Sequence, residues 1–183
     1  MNASGADHLV FRAVELSHAA APPLPEGYRL DVWRPSLRHI VPPGVPRFRY
    51  AAWWAFDRGR VFRNPGYAVV LVTRGGQLAH RLGVFPGWFR FPFMEPDDLQ
   101  LGDLWTSPAH RGRGIASHAI GAVVRTMQSE PRRAFWYLVH EHNVSSIRAV
   151  ERAGFQLHGR AVRTSRLGVR LLGGFEVFDG SAP

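Results

Sequence analysis

The sequence predicts a mixed α/β domain in which helices flank a mostly antiparallel central sheet. The chain of 183 residues is long enough for one well-packed domain and too short for two large ones. Segments with strand character alternate with segments of helical periodicity along most of its length. Two pairs of predicted strands follow each other closely enough to form antiparallel hairpins. These three observations together define the predicted fold class.

The first part of the chain is rich in Ala and Pro and predicts a flexible N-terminal arm over residues 1–26. A single domain is then expected over residues 27–183. Its first strand is predicted over residues 28–33. Four prolines in the following passage disfavour regular structure until a helix over residues 48–60.

The remaining elements follow in an alternating order. A Gly75-Gly76 turn joins two strands in a hairpin. An aromatic segment, residues 85–94, comes next and is expected either to pack on the core as an irregular loop or to contact a ligand. The other predictions are strands over 67–73 and 78–85, a fourth strand over 99–106, helices over 112–128 and 143–153, a strand over 134–140, and closing strands over 155–164 and 169–178.

Composition excludes several kinds of site and partner. The chain has no cysteine, so disulfides, thiolate metal sites and a cysteine nucleophile are ruled out. No apolar run reaches the about 20 residues that a membrane helix needs, and we expect a cytoplasmic protein. The net charge of +9 is compatible with nucleic-acid binding, but all 23 basic residues are Arg. This bias is typical of genome composition, and nucleic acid is not the expected partner.

A glycine-rich segment, residues 106–116, connects the predicted fourth strand to the next helix. Gly112 and Gly114 let the backbone approach an anion closely, and the helix directs free N–H groups and its positive dipole end to the same place. The segment matches neither the dinucleotide pattern G-x-G-x-x-G nor a P-loop, which has Lys-Ser/Thr at its end. The spacing therefore predicts a pyrophosphate site outside those two classes, or else a plain turn with exposed arginines.

A second motif covers residues 139–155 and contains a strand, a helix and a Gly-Phe ending. Asn143 is a favourable N-cap residue, Ile147 and Val150 form an apolar helix face, and Gly154 can adopt the left-handed conformation that ends a helix. From these residues alone, Asn143 is either a simple helix cap or part of a binding site.

The two motifs resemble those of the GNAT (GCN5-related) N-acetyltransferase superfamily. Arg111-x-x-Gly114-x-Ala116 is similar to the family's pyrophosphate motif, and residues 143–155 are similar to its second signature. The resemblance implies the GNAT fold, an enzyme of the EC 2.3.1 type, and acetyl-CoA or another acyl-CoA as co-substrate. The cofactor-binding residues that it implies are Leu104, Trp105, Thr106, Arg111, Gly112, Arg113, Gly114, Ile115, Ala116, Ser117, Asn143 and Ser146.

The catalytic groups are less well defined than the cofactor site. Many members of the family carry a Tyr seven residues after the Asn as a proton donor, and here that position is Val150. A base must also accept the proton of the acceptor amine. We predict Asp103 and His80 for this role, with Asp98 and His140 as further candidates. No metal is expected, because His140 and His142 lack the helical i, i+4 spacing of a zinc pair.

The expected reaction is direct transfer of an acetyl group to a primary amine in a ternary complex. The aromatic segment and its neighbours resemble acyltransferases of polysaccharide biosynthesis, which implies an amino sugar or sugar nucleotide as acceptor. The alternatives are a small amine, an antibiotic or a protein N-terminus, and a non-catalytic nucleic-acid-binding or CoA-sensing module. We expect a monomer or homodimer.

Overall fold

The computed structural model describes residues 7–14, 23–128, 133–165 and 173–179. These residues form eight strands and three α-helices. The strands are β1 His8–Ala13, β2 Tyr28–Trp33, β3 Ala68–Arg74, β4 Gln77–Pro86, β5 Leu99–Thr106, β6 Phe135–His140, β7 Gln156–Arg163 and β8 Phe175–Asp179. The helices are α1 Arg47–Arg58, α2 Ile115–Thr126 and α3 Val144–Arg152. None of the helices in this part of the chain has the length and apolar character needed to cross a bilayer.

All eight strands belong to one sheet with the order β2-β3-β4-β5-β6-β1-β7-β8. Neighbouring strands are antiparallel except β5 and β6, which run parallel. The connection between this parallel pair contains α2, as a crossover between parallel strands requires. The mixed, mostly antiparallel sheet confirms the predicted fold class.

Most predicted elements are present with shifted ends. Strands β3 and β4 form the predicted hairpin, in which Gly75 and Gly76 have φ values of 56° and 78°. This backbone is the one that two-residue hairpin turns require. Helix α2 begins at Ile115 rather than residue 112, because Gly112 and Gly114 have φ values of 73° and 74° and belong to the preceding turn.

The prediction of a flexible arm is wrong for residues 8–13, because these residues form strand β1 inside the sheet. It pairs with β6 on one side and with β7 on the other. Val10 and Phe11 are 0% and 2% exposed. The Ala- and Pro-rich flanks hid a short strand whose two partners lie more than a hundred residues later. The domain therefore does not begin near Gly27, and residues 1–6 and 15–22 lie outside the described part of the chain.

The two faces of the sheet carry separate apolar cores. Along β3, Ala68, Val70 and Val72 face one core, while Val69 and Leu71 face the other, which is the alternation of a strand buried on both sides. Helix α2 packs on β3, β4 and β5, and α3 packs on β6, so these helices cover the first core. Helix α1 and the aromatic segment contribute to the second core.

Candidate active site

Strands β5 and β6 pair for only three residues and then separate. Their parallel register runs from Leu99 to Leu101 and ends where Leu101 lies opposite Tyr137. Among the described residues, no strand pairs with the β6-facing edge of β5 beyond this point. Unpaired backbone N–H and C=O groups must find other partners. The fork between the two strands therefore offers an edge to which an extended ligand can hydrogen-bond.

A bulge in β5 lies at the beginning of this fork. Asp103 and Leu104 are opposed by the single residue Leu82 of β4. Asp103 has a φ value of 47°, which is uncommon for a residue other than glycine. A bulge bends its strand, and this one follows closely after Leu101, the last residue of β5 that pairs with β6.

The chain after β5 forms the predicted turn. A short 3-10 helix, Pro108–His110, is followed by Gly112 and Gly114 in the left-handed conformation, and then by α2. A β-carbon added at Gly112 would meet no atom within 4 Å, so the backbone is open there. The first amides of α2 have no intrahelical acceptor and add the positive end of the helix dipole. This turn is suited to hold a phosphate group.

One cleft of about 510 Å³ joins the fork, the turn and the beginning of α3. Every residue predicted to bind the cofactor lines it: Leu104, Trp105, Thr106, Arg111, Gly112, Arg113, Gly114, Ile115, Ala116, Ser117, Asn143 and Ser146. Two motifs that are separate in the sequence, one ending at Ser117 and the other beginning at Asn143, thus meet in one cavity.

Two of these side chains also hold the walls of the cleft together. The Asn143 Oδ1 accepts a hydrogen bond from the Ser146 amide at 3.3 Å, so this residue caps α3 as predicted. The Ser117 hydroxyl is buried and donates to the carbonyl of Ala149 at 3.0 Å, which ties α2 to α3. The side chain of Ser117 therefore has a structural contact, and its contribution to an anion site would come from its backbone.

Three basic residues that were not predicted from the sequence also line the cleft. Arg148 and Arg152 lie one turn apart on α3, and His110 follows the bulged strand. The i, i+4 spacing within a predicted helix was the available signal, since residues at this spacing share a helix face. Together with Arg111 and Arg113, four guanidinium groups and no carboxylate line this cavity.

Asp103 is held by three donors on the face of the sheet that α1 covers. It accepts from Arg49 Nη1 at 2.6 Å, from the Tyr50 hydroxyl at 2.5 Å and from Arg81 Nε at 3.2 Å. Its side chain is 12% exposed, and that of Arg49 is 58% exposed. These contacts attach the first turn of α1 to the bulge of β5. Burial and the hydrogen bond to Asp103 raise the pKa of Tyr50, which keeps this donor protonated.

His80 lies on the other face of β4 and is fully buried. Its Nδ1 is 2.7 Å from the Thr106 Oγ1, while its Nε2 has no hydrogen-bond partner among the described residues. Burial, with a smaller effect of the Arg81 charge, lowers the pKa of His80 to about 4. The imidazole is therefore neutral at pH 7, and it lies behind Thr106 rather than in the wall of the cleft.

Asp98 has a structural position away from the cleft. Its carboxylate is 4% exposed and accepts hydrogen bonds from the Ala134 amide at 2.8 Å, the Trp136 Nε1 at 2.7 Å and the Glu95 amide at 3.0 Å. These bonds join the loop before β5 to the beginning of β6. Asp98 is buried and does not line the cleft, so its carboxylate has no path to a substrate there.

His140 ends β6 and pairs with Asp7 at 3.6 Å across to β1. Its ring also contacts that of His142. Within the described ranges, no group of three or more metal-binding side chains is close enough to hold an ion.

The aromatic segment packs mainly against the second core. Phe85, Trp88, Phe91 and Met94 are all buried there, whereas Phe89 is 50% exposed. Of the two expectations for this segment, the structure supports the loop packed on the core. Phe89 is the ring of this segment that is most available to a ligand.

Val150 is completely buried between α3 and the sheet. It therefore provides no proton donor at the position where many related enzymes carry a Tyr. Tyr137, at the end of the paired part of the fork, is also buried. Burial raises its pKa, and the Ser146 hydroxyl opposes this effect.

The structure combines a single mixed sheet, a parallel strand pair that separates after three residues, and a turn with two left-handed glycines at the fork. The model of the Acetyltransferase (GNAT) family matches residues 30–155. The chain belongs to this family. No curated protein sequence matches it significantly.

Solved structures share the fold at low sequence identity. An acetyltransferase of the GNAT family from Colwellia psychrerythraea is 14% identical with a TM-score of 0.54, and the match covers 84% of this chain and 53% of that one. A GCN5-related N-acetyltransferase from Sphaerobacter thermophilus is 19% identical with a TM-score of 0.58, covering 84% and 49%. A tandem GNAT protein from the clavulanic acid biosynthesis pathway is 17% identical with a TM-score of 0.56, covering 84% and 50%. The match thus spans about half the length of each of these structures.

Proposed function

We propose that the protein is an acyl-CoA-dependent N-acyltransferase that transfers an acetyl group directly from acetyl-CoA to a primary amine. The observation that carries this proposal is the single cleft in which both motifs meet beside the free edge of β5. The residues fit the co-substrate in chemistry, because the cleft combines an open backbone turn, four guanidinium groups and an unpaired strand edge.

In this proposal the backbone of Leu104, Trp105 and Thr106 pairs with the pantetheine arm and polarises the thioester carbonyl. Amides of the turn at Gly112 and of the first turn of α2 hold the pyrophosphate. Arg148 and Arg152 add charge-assisted hydrogen bonds to phosphate oxygens from the opposite wall. Holding both reactants in place supplies most of the rate enhancement that a direct transfer needs.

We propose Asp103 rather than His80 as the group that receives the proton of the acceptor amine. The two lie on opposite faces of the sheet, and the proposed co-substrate occupies the side covered by α2 and α3. An amine that enters from the α1 side meets Asp103, where it can replace the guanidinium of Arg49, the most exposed of the three donors. His80 is enclosed behind Thr106 and has no such access.

The CoA thiolate leaves without a phenolic donor at position 150. A thiol has an ordinary pKa of about 8.5, so its anion is a tolerable leaving group near neutral pH.

For the acceptor we propose an amino sugar or sugar nucleotide. The net charge of +9 disfavours a polycationic acceptor and favours one that carries phosphate. Arg81 stacks on the Trp105 ring at 5.1 Å beside Asp103, which gives the acceptor side a flat, partly aromatic wall. Phe89 is exposed for a further stacking contact.

The test is acetyl-CoA turnover with a panel of amino-sugar nucleotides, free amino sugars, polyamines and peptide amines. Because the chain has no cysteine, released CoA thiol is measured without background from the protein. We expect turnover with amino-sugar nucleotides, and a loss of about a hundredfold or more in kcat for Asp103→Asn. Turnover of peptide amines alone would contradict the acceptor proposal. A folded protein that binds acetyl-CoA but acetylates no amine would favour the CoA-sensing alternative.

A further inference from the structure

A second cleft of about 770 Å³ lies on the face of the sheet opposite α2 and α3. It forms where the segment after β2, the end of α1 and the segment before β3 meet. Four arginines line it, together with the single acidic residue Asp57; the arginines are Arg34, Arg58, Arg60 and Arg63. The cleft therefore has a net positive charge, and it is separate from the candidate active site.

Three of these arginines have no partner in the described part of the chain. The guanidinium groups of Arg34, Arg58 and Arg60 make no ion pair or hydrogen bond there. Arg63 differs, because its Nη1 donates to the carbonyl of Met94 at 2.7 Å and is thereby fixed in the wall. Arg34, Arg58 and Arg60 are exposed, so their guanidinium groups are accessible to an anion that enters the cleft.

The backbone at Arg60 places its side chain here despite a local preference for glycine. The amides of Arg60 and Val61 bond back to the carbonyls of Asp57 and Phe56, which is the pattern that ends a helix with a left-handed residue. Arg60 takes that position with a φ value of 54°, where glycine would be unstrained. The preceding Gly59 has an ordinary negative φ. A strained arginine at the edge of a cleft points to a ligand contact.

One residue that lines the cleft also has a buried hydroxyl without a partner among the described residues. Tyr67 lines the cleft and is 1% exposed, yet its hydroxyl makes no hydrogen bond with any described residue. A buried hydroxyl without a partner is costly, and such groups usually bind water or a ligand. Burial, followed by the charges of Asp57 and Asp103, raises the pKa of Tyr67, so the group remains a hydrogen-bond donor.

We propose that this cleft binds the diphosphate group of a small ligand of nucleoside-diphosphate size. Arg34, Arg58 and Arg60 would hold the phosphate oxygens, and the Tyr67 hydroxyl would donate to one of them. The negative end of the α1 dipole and Asp57 offset part of the positive charge, and the remaining surplus favours a diphosphate over a neutral ligand. The site is independent of acyl transfer, so it can be tested whether or not the enzyme activity is found.

The test is calorimetric titration with inorganic pyrophosphate and with UDP in the presence of saturating CoA. Saturating CoA fills the first cleft, and the variants of the arginines that line the second cleft show whether any further binding occurs there. We expect one additional site, weakened about tenfold or more by Arg60→Gly. This variant removes the guanidinium and also relieves the left-handed strain, so its melting temperature should equal or exceed that of the native chain. A loss of binding then cannot result from unfolding.

Arg29→Gln is the matched control for Arg34→Gln, since both remove one positive charge near β2 and only Arg34 lines the cleft. Weaker binding in Arg34→Gln alone supports the site. If UDP binds more tightly than pyrophosphate, the ligand of this cleft is a nucleotide. If UDP and pyrophosphate bind equally, the phosphate groups alone determine the affinity. The proposal is overturned if the two substitutions have equal effects, or if no ligand binds in the presence of CoA. It is also overturned if the protein binds DNA more tightly than pyrophosphate, with an affinity that rises with DNA length.

Discussion

Because His80 is buried in a neutral form, we expect the free energy of unfolding to decrease at acid pH by an amount that follows from its pKa. In the folded protein the pKa of His80 is about 4, whereas an unfolded chain has the ordinary value of about 6.5. Between these values the unfolded state binds more protons, so stability is fully present above about pH 6.5 and is lost as the pH falls towards 4. When the pH is lowered from about 7.5 to about 5, the protonation of His80 in the unfolded state alone should reduce the free energy of unfolding by about 2 kcal/mol. Because this ring is fully buried, solvent screening does not reduce that figure.

The assay is equilibrium urea unfolding at the two pH values for the native chain, His80→Gln and His39→Gln. His80→Gln removes the titrating group, so its stability should change by about 2 kcal/mol less than that of the native chain. His39 is exposed, and its replacement should leave the native pH dependence unchanged. If native and His80→Gln proteins lose the same free energy, His80 is not held neutral by burial and the account of its environment is wrong.

Three further substitutions test the turn, the buried carboxylate and the helix cap. Gly112→Ala and its control Gly75→Ala both add a β-carbon in open space at positive φ, so each should lower the unfolding free energy by about 1 kcal/mol. Only Gly112→Ala should weaken acetyl-CoA binding, which calorimetry measures. Asp98→Asn turns an amide donor towards buried N–H donors and should lower the free energy of urea unfolding by about 3 kcal/mol. A decrease of less than about 1 kcal/mol would show that Asp98 does not accept these hydrogen bonds. Asn143→Ala removes the α3 cap and should cost about 1 kcal/mol, whereas an unchanged midpoint would exclude the cap.

The sequence predicted the elements whose signals are local. A short apolar, β-branched run predicted β3, the Gly75-Gly76 pair predicted the hairpin, and Asn143 and Gly154 predicted the ends of α3. The same local signals identified the two motifs that line one cleft. Their meeting in space followed from the resemblance to a family, since no local rule brings such distant segments together.

The missed features depend on long-range pairing. Strand β1 is stabilised by β6 and β7, so its six residues carried too little signal within an Ala- and Pro-rich region. Asp103 was predicted as a base, but its contacts with Arg49, Tyr50 and Arg81 were not. These contacts depend on a bulge in β5 and on the position of α1, which sequence periodicity does not predict. His80 presented a similar difficulty, because its complete burial depends on both neighbouring strands.

We propose that the cleft at the fork binds acyl-CoA through the turn before α2. The test is calorimetric titration with acetyl-CoA of the native chain, Gly114→Trp and Gly76→Trp. Both glycines have positive φ, but only Gly114 lines the cleft, while Gly76 lies in the hairpin turn. We expect one site in the native chain and in Gly76→Trp, and loss of binding in a folded Gly114→Trp. If the native protein binds no acetyl-CoA, or if Gly114→Trp binds it with native affinity, this cleft is not the acyl-CoA site.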